Sequence, residues 1–199
     1  MRTITEIKQI FNKHSGLLKT NELYTEKIFY KDIQKLIQDG FVEKIRYGYY
    51  QWNNEDSYSE IIIIKRLFPD GILCMDTALY YYGYSDRIPQ SWHIAISKDS
   101  NKSRFKIEYP FVKPYFVEPS FLGIGLTTTD IDGYQISIYD KERTICDCLR
   151  YSKKMDREIF NKAIQSYIYD TSKNIPHLMK YAQKFRVSEK VKNIIGVWL

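Results

Sequence analysis

Residues 19–52 read KTNELYTEKIFYKDIQKLIQDGFVEKIRYGYYQW, and within this stretch the periodicity changes once, from helical to strand-like, at Gly40. Phe29, Ile33, Leu36 and Ile37 fall at i, i+4, i+7 and i+8, so on a helix they form one apolar stripe that must be buried. Tyr30, Lys31, Gln34, Lys35 and Gln38 fall on the other face, and hydroxyl, amide and cationic side chains are the types that bond phosphates and base edges. Gly40 can take the left-handed conformation that closes a helix. Beyond it, residues 41–45 and 49–52 are short runs rich in β-branched and aromatic side chains on either side of Arg46, Tyr47 and Gly48. That spacing predicts a hairpin with a basic tip.

Upstream, Ile4, Ile7, Ile10 and Phe11 repeat at helical spacing, so a first helix is expected over about residues 3–14, broken by Ser15-Gly16. Thr20 is the expected N-cap of a short second helix whose core contact is Leu23. Three helices followed by a hairpin give a winged helix-turn-helix over residues 1–52. In that fold the N-terminal half of the recognition helix, with Tyr30, Lys31 and Gln34, lies nearest the bases. Lys35, Gln38, Lys44 and Arg46, with Tyr47 at the wing tip, hold phosphates or a neighbouring minor groove. One such unit per chain implies two copies on an inverted repeat of double-stranded DNA. The fold alone does not fix that function, because the same unit can serve as an RNA-binding or protein-adaptor module. A protein-docking helix exposes large apolar anchors, and the cationic, amide-bearing face here favours nucleic acid.

The chain has 199 residues and is 44% hydrophobic, enough for one large or two small domains with a real core. Charge is unevenly placed. Residues 1–52 hold nine Lys/Arg against six Asp/Glu, residues 53–139 eight against eleven, and residues 140–199 thirteen against seven. A cationic start and end around an acidic middle suggest two faces for a polyanion, although terminal helices also carry solvated lysines for no further reason. The polar run Asn53-Asn54-Glu55-Asp56-Ser57 is the expected linker, which leaves residues 58–199 as a second domain. Cys74, Cys146 and Cys148 lack metal-ligand spacing and read as buried small hydrophobes in a reducing cytoplasm. His14, His93 and His177 are isolated, so no metal or cofactor is expected. The N-terminus is interrupted by polar residues, and no apolar run reaches the roughly 20 residues a bilayer requires, so neither a secretory signal nor membrane association is expected.

In the second part, residues 59–68 suit a strand by their four isoleucines or a helix by length. Residues 74–82 read as a helix that Gly83 stops. The three tyrosines at 80–82 point about 100° apart on such a helix and so cannot form one stacking platform. Residues 92–97, 106–109, 114–118, 123–129 and 134–139 read as strands of a small sheet, with 98–104 a polar loop tip. Asp130-x-Asp132 invites a magnesium site and with it a nucleotide-processing enzyme, but Asp132-Gly133 is also a strong hairpin-turn signal, and no phosphate-cradling glycine loop accompanies it. From Asp140 the pattern is helical to the end, in four helices. In the first, Asp140 is the N-cap, Ile145, Cys148 and Leu149 form the buried stripe, and Arg143, Arg150, Lys153 and Lys154 form an exposed basic cluster.

The ordered combination TNEL, IFYKDIQKLIQDGFVEKIRYGYY, PDGILCMDTALYYYG, SDRIP and KERTICDCLRY resembles the AbiEi antitoxins of bacterial abortive-infection (type IV toxin-antitoxin) systems, over nearly the whole chain. The resemblance implies an α+β protein in which an N-terminal winged helix represses its own operon. It also implies a non-enzymatic C-terminal domain that counters a nucleotidyltransferase-like toxin encoded next door. It favours a helix for residues 59–68. It makes Arg143, Arg150, Lys153 and Lys154 the first residues to test for antitoxin activity, whether against the toxin itself or another factor.

Overall fold

The computed structural model describes residues 2–53 and 58–196 of a mixed α+β chain. The expected linker at residues 53–57 lies outside these except for Asn53. Two compact units are present: Met1–Pro69 with Lys102–Phe111, and Asp70–Asn101 with Val112–Leu199. The first unit therefore runs past the boundary expected at residue 52 and takes in a second stretch of chain.

The first unit contains α1 (Ile4–Lys13), β1 (Leu17–Lys19), α2 (Thr20–Thr25), α3 (Tyr30–Gln38), β2 (Val42–Arg46), β3 (Tyr49–Trp52) and α4 (Glu60–Leu67). Its antiparallel sheet has the order β1-β3-β2. Phe11, Leu23, Ile33, Leu36 and Trp52 meet in one core with almost no exposure. Residues 59–68, ambiguous between strand and helix by composition, form α4, whose isoleucines are all buried.

All three leading helices end the same way, because a left-handed residue lets its own amide and the next one satisfy carbonyls one turn back. At α3, Gly40 has φ 77°, its N–H donates to the Ile37 carbonyl at 3.1 Å, and Phe41 N–H donates to Leu36 at 2.9 Å. Ser15 and Lys27 make the corresponding closures of α1 and α2 at φ 54° and 58°. The N-cap of α2 is Lys19 rather than Thr20. Strand β1 pairs with β3 as far as Lys19↔Tyr49, so the chain passes from sheet to helix without a linker, and the Glu22 carboxylate caps the junction by accepting from Lys19 N–H at 2.7 Å. With three residues, β1 is too short to leave a pattern in the sequence.

The second unit contains β4 (Ile72–Leu73), α5 (Met75–Tyr81), β5 (Trp92–Ser97), β6 (Val112–Val117), α6 (Pro119–Leu122), β7 (Leu126–Ile131), β8 (Tyr134–Tyr139), α7 (Lys141–Tyr151), α8 (Arg157–Tyr169), α9 (Ile175–Lys184) and α10 (Ser188–Ile194). The five-stranded sheet has the order β6-β5-β4-β8-β7; β5–β6 and β4–β8 are parallel, β4–β5 and β7–β8 antiparallel. The expected strand at 106–109 is irregular, and the run from 123 begins as a strand only at Leu126, after α6.

Helix α7 packs against α5, α8, α9 and α10. Eight successive residues from Glu142 to Leu149 are buried, because a helix enclosed on every side has no solvent face. The sequence expectation of a single stripe on Ile145, Cys148 and Leu149 was therefore too narrow, and the buried polar members need partners. Glu142 accepts from Asn174 N–H at 2.7 Å, and Arg143 donates to Asp147.

Candidate nucleic-acid interface

Helix α3 begins after Phe29, whose backbone N–H donates to the Asp32 carboxylate at 3.0 Å and so anchors the first turn. Ile33 and Leu36 turn into the core, while Tyr30, Lys31, Gln34, Lys35 and Gln38 are all exposed. At 100° per residue these five span an arc of roughly 140°, so they share one face. Phe29 departs from the expected apolar stripe. It is 56% exposed, beside Tyr24 at 44% and Tyr30 at 62%, because as the N-cap it precedes the helical turn that would have carried it inward.

The β2–β3 hairpin follows directly. Tyr47 at its tip is 91% exposed, and Lys44 Nζ lies 5.5 Å from the centroid of that ring. Arg46 does not join them. Its Nη1 donates to the Arg104 carbonyl at 3.1 Å and its Nη2 to Leu67 at 2.8 Å, with the guanidinium 4.1 Å from the Tyr49 centroid and 5.3 Å from that of Phe68. The reason is a register irregularity between Lys44 and Arg46, which places an extra residue on β2 and re-aims the side chain that follows. Arg46 is thus a structural residue of the first unit rather than a free phosphate ligand.

The four residues expected as a second basic surface separate in the same way. Arg150, Lys153 and Lys154 are exposed, whereas Arg143 is fully buried. Arg143 Nε donates to Asp147 at 2.9 Å, and its Nη1 donates to the carbonyls of Phe121 and Ile124 at 2.9 and 2.8 Å. Its guanidinium carbon lies 4.1 and 4.0 Å from the ring centroids of Tyr139 and Phe185. No cationic cluster on α7 includes it.

Asp132 and Gly133 form the β7–β8 turn, and Asp130 is paired with Gln135 near the end of β7. Asp132 and Gly133 have φ 53° and 80°, and Asp130 Oδ1 accepts from Gly133 N–H at 3.1 Å. Among the described residues, no group of His, Cys, Asp and Glu side chains is arranged to hold a metal ion, and no helix is long and apolar enough to cross a membrane. The three cysteines are free and buried, and burial pushes all their thiols upward.

Two polar centres of the second unit had no signal in the spacing. His93, 4% exposed on β5, accepts from Asp76 N–H through Nδ1 at 3.3 Å. The Asp76 carboxylate is 3.8 Å from the same nitrogen, but an Nδ1 that accepts an N–H bond carries no proton, so the two do not form an ion pair. Asp170 gathers the Tyr84 hydroxyl, Lys141 Nζ at 2.6 Å and the Ser172 N–H and hydroxyl, each at 2.7 Å. Burial alone would raise its carboxyl, yet these donors hold it far below the usual carboxylate range. Both centres join residues distant in sequence, which is why periodicity does not reveal them. No protein-family model matches the chain, and no curated protein matches it.

Proposed function

We propose that the first unit is a winged helix-turn-helix that binds double-stranded DNA, with α3 as recognition helix and the β2–β3 hairpin as wing. The observation that carries this reading is the division of α3: Ile33 and Leu36 are buried, while Tyr30, Lys31, Gln34, Lys35 and Gln38 are exposed on one continuous face. Amides and phenols suit base edges and lysines suit phosphates, so that face has the chemistry of groove readout together with backbone positioning. Lys44 and Tyr47 extend it to the adjacent backbone or minor groove.

The resemblance to AbiEi antitoxins supplies the biological setting. In this reading the protein acts in the cytoplasm as autorepressor of an abortive-infection operon, two copies bind an inverted repeat in the promoter, and the second unit counters a nucleotidyltransferase-like toxin. Arg150, Lys153 and Lys154 remain the accessible cations for the antitoxin role, without Arg143.

A mobility-shift titration of the protein on the DNA fragment upstream of its own gene, against an RNA of equal length, tests the first part. Binding to the DNA alone, weakened by Lys31→Ala and Lys35→Ala, is the expected result, and preference for the RNA would sink it. Growth rescue on co-expression with the neighbouring reading frame tests the second.

A further inference from the structure

The head of α3 carries a feature that phosphate binding does not explain. Tyr24 and Phe29 form a largely exposed aromatic pair, their rings 5.9 Å apart between centroids, and Tyr30, also exposed, follows Phe29 in the chain. Lys27 and Lys31 flank it, both exposed. The Asp32 carboxylate nearby is turned back onto the Phe29 N–H, from which it accepts at 3.0 Å. An apolar cluster set among cations, at the end of the helix from which bases are read, is placed against a polyanion that itself offers carbon.

Resting on the DNA-binding reading above, we infer that Phe29, supported by Tyr24, reads the 5-methyl group of thymine. A phenyl ring has neither donor nor acceptor, so it contributes nothing to phosphates or to the polar edges of bases. On the floor of the major groove, the apolar group open to such contact is the thymine methyl. The bond that the Phe29 N–H donates to the Asp32 carboxylate fixes the Phe29 backbone at the first turn of α3, which gives the ring a defined place relative to Tyr30, Lys31 and Gln34. Specificity at that base pair then comes from a carbon contact, while Gln34 and Tyr30 supply the hydrogen bonds beside it.

Replacement of thymine by uracil deletes that methyl and nothing else. The probe is a duplex enriched by the wild-type protein from a random-sequence library, remade with deoxyuridine at one thymine position at a time. At one position, or two adjacent ones, the wild type is expected to bind the uracil duplex about fourfold more weakly, the effect of one buried methyl-sized group. Phe29→Ser is expected to bind the thymine and uracil duplexes equally, and Phe29→Leu to keep part of the preference, since it retains a carbon contact. Equal binding by the wild type at every position overturns the inference while leaving DNA binding intact. A methyl effect that persists undiminished in Phe29→Ser overturns it as well. If no duplex is enriched at all, the DNA-binding reading fails and takes this inference with it.

Discussion

Arg143 and Asp147 stand one turn apart on α7 and meet at 2.9 Å from Nε to Oδ2, with side-chain exposures of 1% and 8%. Burial pushes the Asp147 carboxyl upward and the guanidinium opposes it, so each charge is tolerable only because the other is present. The Phe121 and Ile124 carbonyls accept from the same guanidinium, which ties α6 and the loop after it to the head of α7. Gly125 closes this joint: at φ 73°, an added Cβ would lie 2.5 Å from Arg143 Cβ.

Arg143→Leu is therefore expected to cost about 3–5 kcal/mol, because it strands a buried carboxylate. Adding Asp147→Leu should recover part of that loss, since the stranded charge is gone, though the Phe121 and Ile124 carbonyls still lack the guanidinium as donor. Denaturant unfolding of the wild type, single and double variants checks this order. A double variant less stable than the single one would show that Asp147 has another role.

Lys27 is the left-handed residue that closes α2, at φ 58°, where Gly40 does the same for α3. A side chain in that conformation costs roughly 1–2 kcal/mol, of which a glycine loses part again to unfolded-chain entropy. Lys27→Gly is expected to stabilise the chain by about 0.5–1 kcal/mol, measured as a raised unfolding midpoint with an unchanged denaturant slope. A lowered midpoint would mean that the lysine makes a compensating contact.

What the sequence made legible follows from how local each signal is. Helix α3, its stop at Gly40, the hairpin after it and the Asp132-Gly133 turn depend on residues within one or two turns of each other, and each formed as expected. Phe29 and Arg46 depart from the sequence pattern for short-range geometric reasons: an N-cap residue does not follow the helical stripe, and an extra residue in β2 shifts the side-chain alternation. Arg143 departs from it for a long-range reason. Its sequence neighbourhood looks like an amphipathic helix, and only the helices that close around α7 remove the solvent face. The exposed residues of the candidate site were thus readable, while the cations recruited to hold the fold were not distinguishable from those left free.

His93 makes a pH prediction. Burial, and to a lesser extent the ammonium of Lys113, hold its imidazole at about 4 instead of 6.5. The Asp76 carboxylate and the Tyr115 ring also face it, and neither restores the charged form. An unfolded chain takes up this proton near pH 6.5 and the folded chain only near 4. The folded state is therefore fully favoured above about 6.5 and loses up to about 3 kcal/mol as pH falls towards 4. His93→Gln should flatten the stability profile between pH 7 and 5, whatever its effect at neutral pH, and thermal melts across that range test it. An unchanged slope would mean that the imidazole is protonated in the native protein.

The cations of α3 and the hairpin separate into two kinds by salt dependence. Each lysine that neutralises a phosphate contributes about one unit to the slope of log affinity against log salt, whatever the DNA sequence. Lys35→Ala and Lys44→Ala, which remove exposed ammonium groups, should each lower that slope by about 1 and leave stability nearly unchanged. Arg46→Ala removes a guanidinium already committed to two carbonyls, at 3.1 and 2.8 Å. It should leave the slope as it was and instead lower stability by about 1.5–3 kcal/mol. Gln34→Ala should differ from all three by relaxing preference at a single base pair without touching the slope. The converse result for Arg46, a smaller slope with an unchanged unfolding midpoint, would mean that its side chain abandons Leu67 and Arg104 when DNA binds, and that the hairpin presents one more cation than its resting structure does.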